Sequence, residues 1–186
     1  MATKIEINNS NSSNYLSNGK LPNIPSLEIL RRAINPKDYL DYPYEDNGLV
    51  FIGEKFSPHK PLPQNLNIGT GCIFHQTRKI HLAAADQLTF SGRFMAAPTI
   101  ILEATNIELS DSFDDDEPIT TIAAQVKLVL NCSEIFLNGI ELKCYDASID
   151  CRAKTIRYAN IDLDHLKNSA KFPPSCKFLE VEIIDD

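Results

Sequence analysis

Four segments between Lys79 and Leu163 carry one pattern of apolar residues in different words, and that repetition leaves few folds open. In TIILEATNIELSDS (residues 99–112), Ile100, Leu102 and Ala104 alternate with other residues, then Ile107 and Leu109 do the same. KIHLAAADQLTFSG matches it with Ile80, Leu82, Ala84, Leu88 and Phe90. LVLNCSEIFLNG matches with Leu128, Leu130, Cys132, Ile135 and Leu137, and SIDCRAKTIRYAN with Ile149, Cys151, Ala153, Ile156 and Tyr158. Alternation at period two marks a strand with one buried face. Each copy therefore holds two strands joined by a short polar corner such as Thr105-Asn106 or Ser133-Glu134.

A third short run follows each pair: Phe94 and Ala96, then residues 119–124, then Ile140, Leu142 and Cys144, then Ile161 and Leu163. Three strands at corners too tight for hairpins predict an all-β fold, a short three-sheet parallel β-helix. One coil cannot bury its own inward residues, so like stacks on like. Ile80, Ile100, Leu128 and Ile149 should form one column; Ala84, Ala104, Cys132 and Ala153 should form another, of small residues. The basic period is about 20 residues, and the longer step from Ile100 to Leu128 contains the insert 111–121. An antiparallel sandwich also uses short alternating strands. It offers no reason for a fixed small-residue position.

The segments TIILEATNIELSD and VKLVLNCSEIFLNG resemble coils of the right-handed parallel β-helix of haemagglutinin-like and other bacterial surface proteins. The resemblance covers roughly half of the chain and lies in the repeat pattern. It implies a stacked solenoid. Parallel β-helices also include polysaccharide lyases and hydrolases whose acids stand on outward strand positions.

The remaining chain divides by composition. Residues 1–20, rich in Asn and Ser, read as a flexible tail, with Lys4 to Ile7 able to add as an edge strand. Residues 21–47 read as a helix and a connecting segment: Ser26 is an N-cap, Leu27, Leu30 and Ile34 make one apolar stripe, and Asn35-Pro36 ends the helix. This helix is expected to cap the N-terminal end of the solenoid, because open strand edges and core ends need cover. The solenoid domain then spans residues 48–186, with Phe172-Pro173-Pro174 leaving the repeat and Phe178 to Ile183 alternating as a last strand.

A formal net charge of −7 opposes nucleic acid and anionic membranes as general partners. No stretch is long and apolar enough to span a bilayer, and the first residues lack the layout of a secretory signal. The five cysteines, Cys72, Cys132, Cys144, Cys151 and Cys176, form no CxxC pair. They read as reduced and structural, which suits a cytoplasmic protein or one exported without a cleaved signal.

In a solenoid the outward residues carry function. Ile101 and Val129 are adjacent, apolar and nominally outside; Phe136 is a large ring on the outer side of the second strand. With Tyr39, Tyr42 and Tyr44, set among carboxylates, they are candidate contacts for a protein partner or a second copy. The leading expectation is thus a non-catalytic binding or assembly protein. A second reading takes Asp111, Asp114, Asp115 and Asp116 as oxygen ligands for calcium, although the insert lacks EF-hand spacing. A third takes Asp146, Asp150, Arg152, Arg157, Asp162, Asp164 and His165 as an acid face for glycoside hydrolysis or lyase chemistry. No HExxH, GxSxG or GxGxxG motif directs the chain to another chemistry.

Overall fold

The computed structural model describes residues 3–7, 14–16, 39–42, 49–58, 60–69, 72–111 and 120–183. The chain winds as a β-solenoid of about five turns, passing alternately between two parallel sheets. The first sheet stacks β4 (Leu49–Phe56), β6 (Ile73–Ala83), β8 (Phe94–Glu103), β10 (Thr121–Asn131), β13 (Ile149–Cys151) and β15 (Ala170–Lys171). β1 (Thr3–Ile7) adds parallel to β4, with β2 (Asn14–Leu16) antiparallel outside it. The second sheet stacks β3 (Tyr39–Tyr42), β5 (Asn65–Ile68), β7 (Gln87–Phe90), β9 (Asn106–Ser110), β11 (Glu134–Asn138), β14 (Thr155–Ala159) and β16 (Lys177–Glu180). The expected column of large residues forms. Ile80 pairs Ile100, which pairs Leu128, and Leu130 pairs Cys151. Leu88, Ile107, Ile135 and Ile156 align on the second sheet. All of these side chains are buried.

The sheets number two where the repeat suggested three. The first two third runs continue into the first strand of the next copy, giving β8 and β10 lengths of 10 and 11 residues, and β6 ahead of them has the same continuous form over 11 residues. The ladder slips at one place in each of three successive strand pairings: between Gly53 and Lys55, His75 and Lys79, and Ala124 and Lys127. A bulge of this kind bends a strand without ending its pairing. In the fifth turn the two halves separate: β12 (Glu141–Cys144) pairs the first half of β10, and β13 pairs the second.

Two third runs differ further. Met95 and Ala97 face the core and Phe94 stands outside, because the column Phe74–Met95–Ile122–Leu142 takes the bulkier set inward. Ile161 and Leu163 belong to no strand; the helix α1 (Leu163–Ser169) takes that place. Asp162 accepts the backbone N–H of His165 at 2.9 Å as the N-cap, Asp164 lies in the first turn and Lys167 in the last. These local signals outweigh one apolar alternation of two residues. The N-terminal helix read over residues 26–34 lies outside the described residues.

The core changes character along the axis. Phe51 stacks on Phe74 at 4.4 Å between ring centroids, and Phe56 meets Phe74 edge-on at 5.2 Å. Later turns hold Leu, Ile and small residues. Beside the first bulge, the buried amide of Gln76 donates from Nε2 to the Phe51 carbonyl at 3.1 Å, bridging a gap in the ladder. Its Oε1 has no partner among the described residues. At the corner after β11, Gly139 has φ of +60°, and Asn160 repeats that conformation one turn later at +52°. A Cβ on Gly139 would lie 3.1 Å from the Asp111 Cβ, so glycine suits both the angle and the space.

Candidate interaction surface

On the second sheet, one outward column runs Asn67, Thr89, Glu108, Phe136, Arg157 and Leu179. Its composition shifts along the axis. The early turns show amide, hydroxyl and carboxylate; the late turns show a ring, a guanidinium and an isobutyl group. The Arg157 guanidinium lies 5.7 Å from the centroid of the Phe136 ring. Its Nη1 is also 3.7 Å from Glu134 Oε1, so the guanidinium lies between the carboxylate and the ring. Phe136 is half-buried under this cover, while Leu179 is 50% exposed. Beside them runs a polar column, Asn65, Gln87, Asn106, Glu134, Thr155 and Lys177.

The first sheet aligns His81, Ile101, Val129, Asp150 in one outward column, with Glu103 and Asn131 in the next. His81 Nε2 and Glu103 Oε2 are 3.2 Å apart, and Arg152 holds Asp150 at 2.9 Å. These two polar contacts flank the apolar centre. Ile101 is half-buried, and Val129 is only 4% exposed although its register points it outward, so Val129 offers no free contact area. Tyr39 and Tyr42 lie on β3, level with Asn65 and Ile68; Tyr44 is outside the described residues.

Comparison of the chain with protein-family models, curated proteins and solved structures gives no match. The site is therefore read from its own chemistry. Asp111 sits at the neck of the insert, where its carboxylate accepts the Thr120 hydroxyl at 2.9 Å and the Thr120 N–H at 3.5 Å. This pins the point where the chain leaves and rejoins the coil. Asp114, Asp115 and Asp116 lie outside the described residues. Among the described residues no cluster of three or more His, Cys, Asp or Glu has metal-holding geometry.

The acid set at the C-terminal end is dispersed. Asp146 accepts from Gln125 Nε2 at 3.2 Å, Asp150 is paired with Arg152, and Asp162 caps α1. Arg157 belongs to the other sheet. A cleft of about 320 Å³ does open beside α1, lined by Leu137, Ile140, Leu142, Glu141, Asp162 and His165 among others. Its two carboxylates already have partners: Glu141 takes Lys143 at 2.7 Å and Thr121 Oγ1 at 3.4 Å, and Asp162 takes the His165 N–H. The alternation of residues had located Phe136 and its column. Leu179 was missed as a contact because nothing in the sequence aligns the last strand with β14.

Proposed function

We propose that the chain is a non-catalytic binding or assembly protein whose solenoid serves as a rigid interaction surface, with the Phe136–Arg157–Leu179 stripe as its principal contact. The observation that carries this reading is a half-buried ring roofed by an arginine beside an exposed leucine on an otherwise polar sheet. Arg and aromatic residues supply most of the contact energy at protein interfaces, and centres of interfaces are depleted of other charges. Stacking across successive strands holds the three side chains at fixed spacing, which lowers the entropy cost of binding. Ile101 extends the surface on the first sheet, and the sequence adds the tyrosines 39, 42 and 44 as further contacts and a capping helix over residues 26–34 to the proposal. The partner is a protein or a second copy of the chain, met in the cytoplasm or after export without a cleaved signal.

The test compares Phe136→Asp with Thr89→Asp, which lies two levels away in the same column. Light scattering and partner capture should show an assembly that Phe136→Asp abolishes and Thr89→Asp retains, with both variants giving the circular dichroism of the parent. An assembly indifferent to Phe136→Asp, or a strict monomer that captures nothing, would refute the reading.

A further inference from the structure

The bulge on the first sheet is followed on four successive strands by residues that stand directly beside one another. Lys55 pairs Lys79, Lys79 pairs Thr99, and Thr99 pairs Lys127. The next residue on each strand, Phe56, Ile80, Ile100 and Leu128, is buried, so this column faces outward. Lys55 and Lys127 are exposed and Lys79 half-buried. Like charges directly opposite one another in a sheet repel. Among the described residues none of the nearby acids is ion-paired with them: Glu54 is paired with Arg78 and Asp150 with Arg152, while Glu103, four residues beyond Thr99, is hydrogen-bonded to His81. None of the three lysine ammonium groups has an ion pair or hydrogen bond with a described residue. A chain of net charge −7 therefore gathers into one straight stripe positive charge that has no ion-pair partner among the described residues.

We infer that this stripe binds an acidic amphipathic helix of a partner protein, lying along the solenoid axis. Strands stack about 4.8 Å apart, which puts the four levels at about 0, 4.8, 9.6 and 14.4 Å. A helix rises 1.5 Å per residue, so positions i, i+3, i+7 and i+10 fall at about 0, 4.5, 10.5 and 15 Å on one face. Carboxylates at i, i+3 and i+10 then meet Lys55, Lys79 and Lys127, and a polar group at i+7 meets the Thr99 hydroxyl. An apolar side chain on the helix flank covers the half-buried Ile101, which lies two residues beyond Thr99 on β8. An extended acidic strand fits less well, since its same-face side chains recur every 6.6 to 6.8 Å or so. Single-stranded nucleic acid fits less well too, because neither this column nor the Ile101 column presents a Phe, Tyr or Trp on which bases could stack.

The probe is a labelled synthetic helical peptide of 14 residues or so with Glu at i, i+3 and i+10, set against a peptide of the same composition with the Glu positions dispersed around the helix. Fluorescence anisotropy with the full chain should show binding to the first peptide that weakens about tenfold or more between low and moderate salt. Lys79→Gln should weaken it about fivefold, and Lys79→Gln with Lys127→Gln more than either alone. Phe136→Asp should leave it unchanged, because that stripe lies on the other sheet, and a failure there would not touch this result. Equal binding of the two peptides, tighter binding of a single-stranded oligonucleotide of equal charge, or unchanged binding by the double lysine variant with native circular dichroism would overturn the inference.

Discussion

Leu102→Ala tests the stacking on which every assigned surface depends. Leu102 lies in β8 in the middle of the solenoid, 0% exposed, with Leu82 on one side and Leu130 on the other. Truncation removes three carbons, a loss of about 2 to 2.5 kcal/mol at roughly 0.8 per methylene. The hole cannot close by moving β8, because the strand is tied to β6 and β10 along its length. A residual cavity of several tens of Å³ adds about 1 to 1.5 kcal/mol at 24 cal/mol per Å³, for a total near 3 to 4. The adjacent residue, Glu103, is half-buried and outward, so Glu103→Ala should change stability by about 0.5 to 1 kcal/mol, the value of its contact with His81. Leu142→Ala sits on β12, whose other side carries no strand among the described residues, and should cost about 2 kcal/mol because that edge can relax inward. Urea unfolding followed by circular dichroism, with unchanged m-values, measures all three. A cost at Leu102 no greater than at Glu103, or a larger cost at Leu142 than at Leu102, would refute the register.

Gly139→Ala should destabilise by about 1 to 2 kcal/mol in the same assay, since it combines a positive φ with a close approach to Asp111, whereas Asn160→Gly at the equivalent corner should be nearly neutral. Burial pushes the Cys132 thiol up to about 12 and the Cys151 thiol up to about 11. The unfolded chain releases these protons near pH 9 and the folded chain does not, so this contribution is whole below pH 9 and is lost as pH rises towards 11 and 12. Unfolding midpoints measured from pH 8 to 10.5 should therefore fall less steeply in Cys132→Ala than in the parent, and parallel slopes would contradict the burial of that thiol. Asp111→Ala should cost about 1 to 2 kcal/mol by leaving the buried Thr120 hydroxyl without its acceptor, and Asp111→Asn should recover part of it.

The inward columns could be read from the sequence because stacking imposes the same demand at every level. Ile80, Ile100 and Leu128 meet identical surroundings, so selection for burial repeats itself in print. The two-sheet pairing was not legible, because a bulge preserves the alternation on both sides of it and changes only where the count slips. Nor was the shift at Phe94: with Met95 and Ala97 equally apolar, either phase satisfies period two, and the decision falls to which set fits against Phe74 and Ile122. The helix α1 was hidden for the opposite reason. Two apolar residues at Ile161 and Leu163 imitate a strand, while the cap at Asp162 acts through one hydrogen bond that the alternation does not register.

The same logic separates structure from function on the outer surface. Solvent makes no repeating demand on an outward position, so an outward column is free to vary from turn to turn, and most here do. The lysine column departs from this: three of its four levels, drawn from copies of different length, carry the same charge without an ion-paired acid among the described residues. The phenylalanine column departs in the other direction, turning apolar and aromatic only in its late turns. Burial explains neither, since the core is complete without these side chains. Repulsion costs the lysine column some stability in isolation, whereas an exposed apolar side chain is in water in the folded and the unfolded chain alike and costs the fold little. A bound partner relieves the first and buries the second, so substitution should leave the isolated chain as stable as the parent or more so: Lys79→Thr more stable by up to about 0.5 kcal/mol, and Leu179→Thr within about 0.5 kcal/mol of the parent. Measured losses above about 1 kcal/mol at both would place these side chains in the support of the fold and remove the reason for assigning them to a partner.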